Sequence, residues 1–276
     1  MFSLLKSRVP SDWATNIYEA NASIYQPTLE SGLKTAPQEA RGIIRIFRTC
    51  GVPSGSRILD LSCGIGRHSV NLAKYGYHVT GVDPSTTFLR RARELALLEG
   101  VPQHTRFVRG SFSNLTAVLS KQSDRRFDGI IVMDSSIGVT GREKDDLKLF
   151  RDLRNLAMPG APLIVDIFDR KAVAEAYQWT RVEDFPDNLV RIWTFISPPG
   201  SLVHEAQWQF YRRQPDGSLA HLLTIRIRAR QYSIAELRRL ARKAGWRYEA
   251  CFGSFKNLHE FSRGDYRAIV LFRNAG

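Results

Sequence analysis

Short apolar runs and longer stretches of helical spacing alternate along the first two thirds of this chain. The runs Arg57 to Leu61, His78 to Asp83, Arg106 to Arg109, Phe127 to Asp134 and Pro162 to Phe168 read as strands. Between them, Gly66 to Tyr75, Thr86 to Glu99 and Glu143 to Leu156 read as helices, with Gly100 and Pro102 stopping the second and Pro159-Gly160 turning the chain after the third. The segment Ile130-Ile131-Val132-Met133 has no polar face, as expected of a strand covered on both sides. Strands that alternate with helices predict a doubly wound, Rossmann-like α/β sheet. Ahead of it, Trp13, Ile17, Ile24 and Tyr25, and then Ile43 to Phe47, have near-helical spacing, with Pro27 and Pro37 expected to separate two helical pieces.

After residue 188 the rhythm changes. Asn188 to Ile196, Leu202 to Arg212 and Ala220 to Gln231 read as consecutive strands joined by Pro198-Pro199-Gly200 and Pro215-Asp216-Gly217, and links so short require antiparallel pairing. Ile225-Arg226-Ile227-Arg228-Ala229-Arg230 alternates, so one face carries guanidiniums while the other packs. Ser233 and Glu236 form a capping-box pattern for a helix that ends near Gly245, and strands at Tyr248 to Phe252 and Arg267 to Phe272 follow. The expected organisation is a helical cap over 1–50, a core over 51–187 and 232–276, and an antiparallel insertion over 188–231.

Composition narrows the picture only slightly. The 276 residues suffice for one large domain, and no apolar run is long enough to cross a bilayer. The opening Met1-Phe2-Ser3-Leu4-Leu5-Lys6 is too brief for a signal-peptide core. Cys50, Cys63 and Cys251 are odd in number and widely spaced, which argues against a disulfide framework, a metal site or an iron–sulfur cluster, and makes a cytoplasmic setting the default. The net charge of +13 keeps a nucleic-acid partner in view, although the basic residues are scattered.

The chemistry concentrates between Asp60 and Ser85. An apolar strand ends in Asp60, a turn carries Cys63-Gly64-Ile65-Gly66, a short helix follows, and a second strand ends in Asp83. Gly64 and Gly66 allow a tight turn with close backbone approach to a ligand. Asp83 is placed to accept hydrogen bonds from a ribose diol. Asp60 would repel a pyrophosphate but attract the ammonium of an amino acid, and Ser69 stands where a dinucleotide fingerprint needs its third glycine. The pattern favours S-adenosylmethionine over NAD, so an NAD oxidoreductase is the weaker reading.

Asp60-x-x-Cys63-Gly64-x-Gly66 and Gly81-Val82-Asp83-Pro84-Ser85 resemble the first two motifs of the class I S-adenosylmethionine-dependent methyltransferases. The resemblance extends from about Ala40 to Asn274. It implies a seven-stranded sheet with an antiparallel last strand, and an antiparallel β insertion that covers the substrate pocket in a small-molecule subgroup. It implies that Asp60, Ser62, Cys63, Gly64 and Gly66 line the methionine half of the cofactor, that Asp83 holds the ribose, and that Pro84 and Ser85 flank the adenine. Ser111 stands where an Asp commonly binds the adenine amine, Phe112 either covers the purine or joins the core, and Met133 precedes the loop between cofactor and substrate. Asp134 and Ser135 in that loop, His204 in the insertion and Tyr25 in the cap are candidates for the acceptor side. Cys63 reads as a small packed residue, because no base is spaced with it; His68 and His221 read as a helix-start residue and a surface residue. No catalytic base is assigned, since a sulfonium methyl is already activated. A small-molecule methyl acceptor is the expected partner. The alternatives are an RNA methyltransferase, with Arg226, Arg228, Arg230, Arg238, Arg239, Arg242 and Lys243 following a phosphate backbone, and a protein that binds S-adenosylmethionine without catalysis.

Overall fold

The structure, a computed structural model, describes residues 13–120, 126–170, 180–197 and 201–276. Runs that are apolar on both faces can be buried only between two layers. Such runs form the centre of a sheet in which β1 (Arg57–Leu61), β2 (His78–Asp83), β3 (Thr105–Arg109), β4 (Gly129–Val132) and β5 (Pro162–Phe168) pair in parallel. A second set, β6 (Thr180–Phe185), β7 (Leu189–Phe195), β8 (Val203–Arg213) and β9 (Leu219–Arg230), forms a separate four-stranded antiparallel sheet. Finally β10 (Trp246–Phe252) and β11 (Arg267–Asn274) return to the large sheet, whose order is β10-β11-β5-β4-β1-β2-β3, with β11 antiparallel to both its neighbours. The doubly wound sheet with its reversed last strand and the added antiparallel sheet are as expected.

Helices cover both faces of the large sheet. Before β1, α1 (Trp13–Thr15) runs into a π turn (Asn16–Ala20), followed by α2 (Ala22–Ser31) and α3 (Ala36–Thr49). Then come α4 (Arg67–Ala73), α5 (Thr86–Leu98), α6 (Leu115–Ser120), α7 (Glu143–Leu156) and α8 (Ile234–Lys243). One core cluster joins α3, α4 and α5 to the sheet through Phe47, Val70 and Leu89; the other joins α6, α7 and α8 through Leu115, Phe150 and Leu237. The Ser233 capping box at the start of α8 is complete.

Three expectations need correction. Pro27 does not separate helical pieces: it lies inside α2, where the packing of Ala22, Tyr25 and Leu29 against Ile65 and Phe88 outweighs the lost hydrogen bond. Pro37 sits in the first turn of α3, where no N–H is needed. The fourth strand stops at Val132, short of Asp134, because Asp134 and Ser135 both take positive φ of 56° and leave the pleat. The antiparallel sheet has an extra strand ahead of the expected three, β6, whose charged and exposed Arg181 and Asp184 suit a sheet edge and hide it from a hydrophobic pattern. The Pro198-Pro199-Gly200 turn and the opening residues Met1 to Lys6 lie outside the described residues.

Candidate active site at the glycine turn

The end of β1 and the turn after it are built around three left-handed residues, Ser62 (φ 58°), Gly64 (φ 54°) and Gly66 (φ 77°). A Cβ on Gly66 would stand 2.9 Å from the Ala92 methyl and 3.0 Å from the Phe107 ring, so the start of α4 can approach α5 and β3 only with glycine there. The turn is tied to β2 from both sides. The Cys63 N–H donates to the Val82 carbonyl (3.1 Å), and the Gly64 N–H donates to Asp83 Oδ2 (3.0 Å). Asp83 Oδ1 accepts from the Ser85 N–H (2.9 Å), and the Ser85 hydroxyl in turn caps α5 by accepting from the Phe88 N–H.

Two buried carboxylates therefore flank the turn, and among the described residues neither is in an ion pair. Asp83 has only backbone donors, and burial pushes its carboxyl up to about 6. Asp60 is 1% exposed; its Oδ2 accepts from the Ser69 hydroxyl (2.6 Å), while its Oδ1 has no partner among the described residues. Burial raises the Asp60 carboxyl too, although His68, Ser69 and Arg67 pull the other way. A buried carboxylate oxygen without a donor costs folding energy on the order of 1–3 kcal/mol. Such an atom calls for a donor, from an ordered water or from a ligand.

The residues before β1 close over this turn. Ala22 of α2 packs with Ile65 and Phe88, joined by Tyr18, Tyr25 and Leu29, and a Leu29 methyl comes within 3.3 Å of where a Gly64 Cβ would be. On the other side, the ends of β4 and β5 meet an ionic network that the sequence pattern does not reveal. Arg67, immediately after the turn, pairs with both Glu39 and Asp134; Arg267 pairs with Asp166 and, at 3.0 Å, with Glu39; His68 Nε2 lies 2.8 Å from Glu39. Burial works against ionising Glu39, but the hydrogen bond and charge of His68, with Arg67 and Arg267, outweigh it and hold the carboxyl well below its usual range.

The comparisons with known proteins bear on the same stretch that holds the glycine turn and the two carboxylates. Residues 58–160 match the methyltransferase domain family. Over those residues the chain carries a methyltransferase domain. It is 26% identical over 156 residues to YqeM of Bacillus subtilis (strain 168), a match that covers 56% of this chain and 60% of that protein. The chain thus spans less than two thirds of that curated relative. In fold, the chain is similar to a S-adenosylmethionine-dependent methyltransferase from Clostridium acetobutylicum ATCC 824, with TM-score 0.74 and 19% identity over 94% of this chain and 100% of that one. It is also similar to the sugar N-methyltransferase KedS8 from Streptoalloteichus sp ATCC 53650, with TM-score 0.63 and 14% identity over 88% and 90% of the two chains.

The structure sorts the remaining candidate residues. Cys63 is buried under Gly81, whose Cβ would lie 2.8 Å from Sγ, and burial raises its thiol well above the ordinary range, so it is a packed, inert thiol. The Pro84 carbonyl accepts from Arg109 Nε (3.1 Å). Ser111 is held in a local turn, its N–H donating to Asn114 Oδ1 (2.8 Å) and its hydroxyl 2.8 Å from that of Ser113. Phe112 is half-buried and packs on the core, and Met133 lies within the opposite core cluster. Asp134 is engaged by Arg67, and the Ser135 hydroxyl accepts from the Phe168 N–H (2.7 Å), so both tie β4 to its surroundings. His204 is buried in the antiparallel sheet, and burial lowers its imidazole to about 4. His221 is exposed and bonded to Thr224, and His68 belongs to the Glu39 network rather than merely starting a helix.

Of the arginines assigned to a phosphate track, Arg228 pairs with Glu205 (3.1 Å) and Arg230 with Glu143 (2.7 Å). Arg238, Arg239 and Arg242 are exposed and line an open groove of about 660 Å³ along α8 and β10, apart from the glycine turn. Among the described residues no helix is long and apolar enough to cross a membrane, and no group of three or more His, Cys, Asp or Glu is arranged to hold a metal.

Proposed function

We propose that this chain transfers the methyl group of S-adenosylmethionine to an oxygen or nitrogen of a small molecule held between the strand ends of the large sheet and the antiparallel sheet. The observation that carries this reading is the unpartnered, buried Oδ1 of Asp60 beside a turn whose other flank is the buried carboxyl of Asp83. When bound, the cofactor supplies a methyl group already activated by a sulfonium. Asp60 receives its ammonium by a charge-assisted hydrogen bond. Asp83 accepts from the two ribose hydroxyls, and the left-handed backbone of Ser62, Cys63, Gly64 and Gly66 gives the methionine half close passage. Pro84, Ser85, Ser111, Phe112 and Met133 border the adenine. Tyr25, Asp134, Ser135 and His204 face the acceptor. The chain's own contribution is alignment and exclusion of water, which the cap over the turn favours.

Calorimetry with S-adenosylmethionine tests the site directly. Asp60→Asn keeps a partner for Ser69 but loses the charge, and the affinity is expected to fall about 10- to 100-fold. An unchanged affinity removes Asp60 from the site. A labelled-methyl transfer screen with small acceptors then separates an enzyme from a protein that only binds the cofactor. Filter binding of RNA addresses the remaining alternative: RNA retained at moderate salt and methylated by the chain would replace the small-molecule reading.

A further inference from the structure

The inner face of the antiparallel sheet holds a set of groups that the fold does not satisfy. Trp193 of β7 stands directly opposite Trp208 of β8, and Phe195 opposite Ala206, so these side chains share one face with His204. Two pairs of rings lie nearly flat on each other. Trp208 stacks on Tyr25 of the cap (5.6 Å, 10°), and Trp193 stacks on Phe195 (4.8 Å, 15°), with the His204 ring 4.9 Å from Phe195. Within this apolar patch, Trp193 Nε1, Trp208 Nε1 and His204 Nε2 are buried and have no hydrogen-bond partner among the described residues. Each such atom costs about 1–3 kcal/mol, so three on one face of one sheet point to an absent ligand rather than to packing.

The patch adjoins the glycine turn from two directions. Tyr25 also contacts Phe88 (6.5 Å), which packs on Ile65 of the turn. Phe168, at the end of β5, packs on Phe195 while its N–H is bonded to Ser135 of the loop after β4.

Its electrostatics select the ligand. An aromatic patch attracts cations. Here that place is taken, since the buried Arg191 guanidinium lies 5.0 to 5.3 Å from the rings of Trp208, Phe185 and Trp193 and is held by Glu183 (2.6 Å). A second ammonium would find the ring faces already occupied by the Arg191–Glu183 pair. The two indole N–H groups and the guanidinium are all donors, and flat rings favour a flat partner. His204 Nε2 can accept, and burial, by lowering its imidazole to about 4, keeps it neutral at neutral pH.

We infer that the methyl acceptor is a planar ring bearing a hydroxyl, a phenol or an enol, whose oxygens face Trp193 and Trp208 and whose O–H donates to His204 Nε2. This rests on the methyltransferase reading and names its substrate class and acceptor atom. In the transfer the acceptor oxygen forms the new bond to the methyl carbon and the carbon–sulfur bond breaks with its electron pair going to sulfur. The hydroxyl proton shifts toward His204 Nε2 as the oxygen–carbon bond forms and then leaves to solvent. Developing negative charge on the oxygen is met by the indole donors and by Arg191.

The test is calorimetric titration of 2-naphthol and of catechol into the full chain with S-adenosylhomocysteine present, against glucosamine as an amine-bearing, non-planar probe. Binding of at least one phenol, and none of glucosamine, is expected. Trp193→Phe and Trp208→Phe should each weaken phenol binding about 3- to 10-fold, and His204→Leu about 5- to 15-fold, with S-adenosylhomocysteine affinity unchanged as the check on folding. His204→Gln, which keeps an acceptor but no proton-taking nitrogen, should bind the phenol nearly as the parent does and lose turnover in kcat rather than KM. If S-adenosylhomocysteine binds but neither phenol does, if glucosamine binds in their place, or if His204→Leu and His204→Gln bind and turn over as the parent does, the assignment is wrong. Failure to bind S-adenosylhomocysteine at all sinks the methyltransferase reading itself, and this assignment with it.

Discussion

Replacing Asp83 by Asn separates the cost of the site from its use. In the folded chain this carboxyl has only the Gly64 and Ser85 N–H groups for company, and burial moves it from an ordinary 3.8 to about 6. Keeping it ionised at neutral pH therefore costs the fold about 3 kcal/mol relative to the unfolded chain. A carboxyl raised on folding favours the folded state while protonated, and that advantage fades as pH rises from its unfolded value through about 6. Between pH 4.5 and 7 the change amounts to about 2 kcal/mol. Asn carries no charge and escapes this pH dependence. It also turns an amide NH₂ toward one of the two N–H donors, at about 1–3 kcal/mol, but that penalty is the same at every pH. Urea unfolding of parent and Asp83→Asn at pH 4.5 and pH 7 isolates the charge as a difference of differences. The variant should gain about 2 kcal/mol on the parent between the two, while its affinity for S-adenosylmethionine falls about 10- to 100-fold. A stability gap that stays constant with pH would refute the argument that Asp83 is a desolvated anion held for a ligand.

Gly66→Ala should destabilise by about 2–4 kcal/mol in urea melts, because the left-handed backbone and the contacts with Ala92 and Phe107 both penalise a methyl there. Arg67→Met removes one of the two arginines shared by Glu39 and Asp134, leaving Arg267 and, for Glu39, His68, and should cost about 3 kcal/mol. Glu39 is held below its ordinary range, so the network's stabilisation is present above that range and is lost on acidification; the variant's deficit should shrink as pH falls. Iodoacetamide at pH 8 should leave Cys63 and Cys251 unlabelled in the folded chain, since burial raises both thiols, Cys251 to about 12; peptide mapping by mass spectrometry reads this out.

What sequence alone determined follows from local rules. The period of the apolar runs specified the strands and helices of the doubly wound sheet, because an apolar strand needs two covering layers and a helix needs one buried stripe. The glycine turn with Asp60 and Asp83 was legible for the same reason, since left-handed backbone and strand-end carboxylates are set within a few residues. β6 escaped because an exposed edge strand has no hydrophobic signature. The rest depended on distance. Glu39, Arg67, Asp134, Asp166 and Arg267 come from five separate parts of the chain, and nothing in their spacing says that they share charge. Trp193, Trp208 and His204 acquire meaning only when register places their rings on one face and burial leaves their nitrogens without partners. Tertiary packing decided which polar groups water no longer reaches, and in a low-dielectric interior that is what turns an ordinary side chain into a site.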